Sequence, residues 1–180
     1  MPTPLIAILA LVVSVQSAVA TGSMHARQST AIAEARPDLL NKLVGNWVLK
    51  GTLAGKQTVH DVRAGWVLND KYVRLNEVSR DLDGRRRSAY EASIYIGWEP
   101  HSRTYTCIWL DSTAVATAGV SCSARPMPNQ ISFLFKDKAG TIIFANTFTY
   151  NPGMDHWKWQ LDDVSKGKRI SFGRVVLSRK

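Results

Sequence analysis

His60 and Glu77 are the residues of this chain whose types and spacing point to chemistry. Each lies in a run where polar and apolar residues alternate. Around the first, Asp61 and Arg63 take the polar face, so His60 shares the other with Val62, Ala64, Trp66 and Leu68. Around the second, Arg74, Asn76 and Arg80 are polar, which leaves Val73, Leu75 and Glu77 together. An ionised glutamate on an apolar face is costly unless it is paired or hydrated, and an imidazole on the neighbouring run is a fitting partner. Such a pair has three readings: a polar anchor for a bound molecule, an acid and a base, or a hydrogen bond that only holds the fold. The sequence carries no GxSxG, no phosphate loop, and no CxxC or HxxxH spacing. No catalytic residue, metal ligand set or cofactor is therefore assigned, and an enzyme is the lesser expectation.

The other candidates are aromatic. All six tryptophans follow Asn46. His156, Lys158 and Gln160 mark the polar face of one run, so Trp157, Trp159 and Leu161 share the apolar one. Large rings on such a face either pad a pocket or fill a core. The expected ligand-binding set is His60, Trp66, Glu77, Trp157 and Trp159. Two cysteines, Cys107 and Cys122, flank a loop rich in Thr, Ala and Gly over residues 112–119. If their runs form a hairpin, the two lie opposite each other, and a cross-strand disulfide is expected.

These residues are positioned by short strands. From Trp47 onward, turn signals recur every ten to fifteen residues, and no second helical run of any length interrupts them. The expected strands are Asn46–Leu53, Lys56–Leu68, Lys71–Arg80, Arg87–Trp98, Arg103–Asp111, Val120–Ser123, Gln130–Lys136, Thr141–Tyr150, Asp155–Val164 and Arg169–Arg179. The dipeptide Asp83-Gly84 suits a tight hairpin. About ten antiparallel strands in a meander close most easily into a barrel, so the fold class is all-β. Ahead of them, Leu39, Leu40, Leu43 and Val44 recur at helical spacing after Pro37, and Gly45 stops the run. This short helix is expected to close one end. In two runs the faces stay undecided: Tyr90-Ala92-Ile94-Ile96-Trp98 against Glu91-Ser93-Tyr95, and Tyr105-Cys107-Trp109-Asp111 against Thr104-Thr106-Ile108-Leu110.

The apolar run Leu5–Val15, followed by Ala18-Val19-Ala20, has the form of a secretory signal cleaved near Ala20. Residues 21–36 then read as a flexible segment and 37–180 as one barrel domain. The expected location is periplasmic or secreted, which also suits a disulfide. The formal net charge is +9. It is dispersed, and its one compact run, Arg85-Arg86-Arg87, reads as a solvated hairpin tip. Basic residues and aromatics do not interleave on one strand face, so nucleic acid is not an expected partner. Weak contact with anionic membranes or cell-wall polymers is compatible with the charge. Oligomeric state is open.

Gly45-Asn46-Trp47, set just after a short helix and before the strands, resembles the signature of the lipocalin and fatty-acid-binding (calycin) superfamily. Leu43-Val44-Gly45-Asn46-Trp47, Glu77-Val78-Ser79-Arg80 and Tyr95-Ile96-Gly97-Trp98 are similar to a group of bacterial lipocalin-like proteins. The resemblance implies an antiparallel barrel that binds a small hydrophobic or amphipathic molecule. It also implies that the tryptophan of Gly45-Asn46-Trp47 fills the closed end of the barrel and that an arginine from a late strand covers its ring. Arg174 is the first choice for that arginine and Arg179 the second. The alternatives are a barrel enzyme using His60 and Glu77 as acid and base, or a haem barrel with His60 as the axial ligand.

Overall fold

A computed structural model of the chain describes residues 37–113 and 120–180. The expected signal peptide and the segment 21–36 lie outside the described residues. One short helix, α1 (Leu39–Leu43), precedes ten strands: β1 (Gly45–Leu53), β2 (Lys56–Val67), β3 (Tyr72–Ser79), β4 (Glu91–Glu99), β5 (Thr104–Asp111), β6 (Val120–Ala124), β7 (Gln130–Lys136), β8 (Ile142–Asn151), β9 (His156–Ser165) and β10 (Lys168–Arg179). Every strand pairs antiparallel with its sequence neighbours, and β10 returns to β1, so the sheet is a closed ten-stranded barrel. Closure leaves no strand edge to template association.

Alternation decides which side chains fill the barrel. Trp47, Leu49, Val62, Val73, Leu75, Ile94, Ile96, Phe133, Phe148, Trp157 and Leu177 are all buried inside. The two undecided runs resolve the same way. Ala92, Ile94 and Ile96 point inward on β4, and Tyr105 and Cys107 on β5, while Ile108 and Leu110 lie exposed on the outer wall. Cys107 and Cys122 are directly opposed across β5 and β6, with Cα atoms 5.0 Å apart, and are joined by a disulfide.

Two local expectations need correction. The fourth strand starts at Glu91, not Arg87, and the tight turn that begins at Asp83-Gly84, with Arg86 N–H donating to Asp83 O (2.9 Å) and Leu82 bridged to Ser88, lies at the tip of the β3–β4 connection and does not join the two strands directly. Residues 80–90 form a longer loop in which the Asp83 carboxylate accepts the backbone N–H groups of Arg85 and Arg87 and the guanidinium of Arg87. Arg86, rather than Gly84, takes the positive φ. The helix is also shorter than Pro37–Val44, and no side chain caps its start.

What α1 lacks in length it gains in contacts. Leu40 and Leu43 are fully buried, and its final carbonyls are satisfied from the barrel. Trp157 Nε1 donates to Lys42 O (3.2 Å), Trp47 Nε1 to Leu43 O (2.8 Å) and Arg179 Nη1 to Val44 O (2.6 Å). Trp66 Nε1 donates to Asn41 Oδ1 (3.1 Å). The helix thus closes the barrel end that carries Gly45, Trp47, Trp66 and Trp157.

Arg179, not Arg174, covers Trp47: its guanidinium carbon lies 3.9 Å from the ring centroid. The register explains this. Trp47 pairs with Arg179 across β1 and β10, whereas Arg174 pairs with Thr52, well up the barrel. Arg174 lies on the outer wall and forms an ion pair with Asp162 (2.7 Å). Gly45 has φ +144°, and a Cβ there would overlap Nη1 of Arg179. Gly51, at φ +152°, likewise lets the carbonyl of Arg174 come close at the β1–β10 seam.

Candidate functional site

Opposite α1 lies the other end of the barrel, its mouth, where Thr58, Tyr90, Trp109, Asp111 and Phe144 are half-buried. A buried polar pair at this end is built by β2 and β3. Their register sets His60 against Ser79 and Val62 against Glu77, so the two inward side chains are diagonal neighbours. His60 Nδ1 lies 2.5 Å from Glu77 Oε1, and His60 Nε2 lies 2.6 Å from Thr58 Oγ1. His60 is 3% exposed and Glu77 2%. A carboxylate only accepts, so the imidazole donates from Nδ1; Nε2 accepts from the threonine hydroxyl in the neutral ring and donates to its oxygen in the protonated one. Hydroxyl, imidazole and carboxylate form one chain.

Aromatic rings surround this chain on the mouth side. Tyr90 stacks on His60, with centroids 5.8 Å apart and planes 29° apart. Trp109 lies 5.6 Å from Trp159 and 6.1 Å from Phe135, and contacts continue through Phe144 to Phe172. Asp111, the next inward position on β5 after Trp109, accepts Trp109 Nε1 on Oδ2 and the backbone N–H of Thr113 on Oδ1. Burial, reinforced by the negative charges of Glu77 and Asp111, pushes the Tyr90 hydroxyl well above the ordinary tyrosine range.

The five expected ligand-binding residues do not gather at one place. His60 and Glu77 meet at the mouth. Trp159 stands deeper, stacked on Phe148 (4.5 Å) and donating to Asn146 Oδ1 (2.9 Å). Trp66 and Trp157 are at the far end, bonded to α1. Sequence reasoning missed Thr58, Tyr90, Trp109 and Asp111. The last three sat on the runs whose faces alternation left undecided. Thr58 was visible as the next inward position before His60. Asn146 was also legible, as the one polar residue on the face Phe144-Asn146-Phe148-Tyr150.

Two hollows open on the outer wall. One of about 490 Å³ is lined by Asn46, Asp61, Arg63 and Lys180, and one of about 190 Å³ by Lys158, Gln160 and Arg174. The first is spanned by the Asp61 ion pairs to Arg80 and Lys180 and has no contact with the His60 chain. Among the described residues, no group of three or more His, Cys, Asp or Glu side chains is arranged to hold a metal ion. No family model matches the chain, and no curated protein matches it in sequence. The reading of the site rests on its geometry.

Proposed function

We propose that this chain is an exported carrier of a small amphipathic molecule, held at the mouth opposite α1. One observation carries the reading: a buried His60–Glu77 pair lies directly beneath half-buried aromatic rings. A barrel selected only for stability does as well with an aliphatic pair, because desolvating ions offsets their attraction. Polar groups placed under an open apolar rim are what a ligand with both kinds of surface requires. The closed meander, the helix at one end and Gly45-Asn46-Trp47 support membership of the lipocalin and fatty-acid-binding superfamily. Support for export is the Leu5–Val15 run before Ala18-Val19-Ala20 and a disulfide suited to an oxidising compartment. Weak contact with anionic lipid or cell-wall polymer fits the positive charge.

The test is mass spectrometry of small molecules that co-purify with protein recovered from its native compartment, combined with tryptophan fluorescence. Trp109 and Trp159 report on the mouth. A retained molecule that shifts the emission, and whose affinity falls in Tyr90→Ala, is expected. Protein that carries nothing and responds to no amphipathic probe would sink the reading.

The Thr58–His60–Glu77 order favours a second reading, an enzyme in which His60 takes the proton of the Thr58 hydroxyl as it attacks an ester carbonyl. Hydrolysis of a p-nitrophenyl ester that disappears in Thr58→Val would support it. Haem ligation gains nothing from this geometry, since His60 Nε2 is engaged by Thr58.

A further inference from the structure

We infer that the mouth takes a cationic ligand, an organic ammonium on an apolar body, in preference to a carboxylate. The inference rests on the binding reading above and names the chemical class for that same site. The buried and half-buried charged side chains that β2, β3 and β5 turn into the mouth are His60, Glu77 and Asp111, while Lys56 on the same face of β2 is exposed. Whether the imidazole carries one proton or two, the three together are negative. The arginine on an inward position of β10, Arg179, is at the opposite end over Trp47. The cations nearest the mouth are exposed, Arg85, Lys138 and Lys166 on its connecting turns and Lys56 and Lys168 at the first positions of β2 and β10, where water and salt screen them.

The walls suit the same ligand. Tyr90 stacks on His60 and the Trp109 indole N–H is bonded to Asp111, so both rings lie beside the carboxylates, and aromatic rings attract a cation through their negative faces. A carboxylate placed there would meet Glu77 and Asp111 with no buried guanidinium among the described residues to receive it, and like charges at close range are strongly unfavourable in a partly desolvated site. The preference runs against the whole-molecule charge of +9, which draws anions from solution. That opposition makes the local effect separable from the global one.

Three probes with one tail decide it: decyltrimethylammonium, decanoate and decanol, each titrated below micelle formation at near-physiological salt and followed by tryptophan fluorescence. The ammonium is expected to bind at least about tenfold more tightly than decanoate. Asp111→Asn, at a half-exposed position, should weaken the ammonium severalfold and leave decanol unchanged. Decanoate binding as tightly as the ammonium overturns the inference, and so does ammonium affinity indifferent to both Asp111→Asn and Glu77→Gln. If decanol alone binds, the carrier reading stands and the charge inference falls. If none of the three binds, both fall.

Discussion

His60 is held between two oxygens, and that fixes what its neighbours contribute. Removing Glu77 as Glu77→Ala strands a buried imidazole N–H and opens a void, so a loss of about 3 kcal/mol is expected by urea unfolding. The paired replacement His60→Phe with Glu77→Leu removes both polar groups together and should recover most of that loss. A double variant as unstable as the sum of its parts would show that packing, not pairing, sets the cost. Arg179 and Trp47 admit a similar cycle. The guanidinium lies over the indole and also bonds Val44 O, so Trp47→Phe and Arg179→Met should couple by about 1 kcal/mol. Arg174→Met should combine with Trp47→Phe additively, within about 0.3 kcal/mol.

At the scale of elements, the β5–β6 hairpin bears both the disulfide and the Trp109–Asp111 side of the mouth. Its cysteines are 15 residues apart. Replacing both by alanine should cost about 3 kcal/mol in the chain-entropy model, read as a lower urea midpoint without change of fold. A midpoint unmoved by the double replacement would mean the hairpin is already ordered in the unfolded chain. The same elements show what was readable beforehand. The helix, the strand order and the inward faces of β1, β2, β3 and β9 were legible, because charged residues marked the outer face of each. The faces of β4 and β5 were not, because Ile108, Leu110 and Tyr95 put apolar side chains on the outer wall. That hid Tyr90, Trp109 and Asp111, and with them half of the site. Arg179, the partner of Trp47, ranked second behind Arg174 for another reason. The choice depends on the register between β1 and β10, and neither strand alone encodes which arginine lands opposite the indole.

For the whole molecule, stability should fall at both ends of the pH scale. On Asp162 burial pushes upward, but the hydrogen bond from Gln160 and the charges of Arg174 and Arg169 outweigh it and hold the carboxyl below the ordinary range. Hydrogen bonds from Arg179 and Tyr150 lower Asp155, and those from Ser102 and His101 bring Glu99 down to about 2. These groups bind protons less readily folded than unfolded. Their contribution is complete above about pH 4 and is lost as pH falls through the folded values. Burial pushes Tyr105 up to about 12, so its contribution is intact below about pH 10 and disappears as pH rises toward 12. Urea midpoints measured from pH 2 to 12 should trace a plateau with two shoulders, and a midpoint that rises below pH 4 would contradict the acid half. The clamp of Arg179 on Trp47 and α1 bears on biogenesis as well. Until the ribosome has made β10, the nascent chain is an unclosed sheet with β1 and β9 as bare edges, and the helix carbonyl of Val44 lacks its guanidinium. Such a chain stays open to chaperones throughout its synthesis.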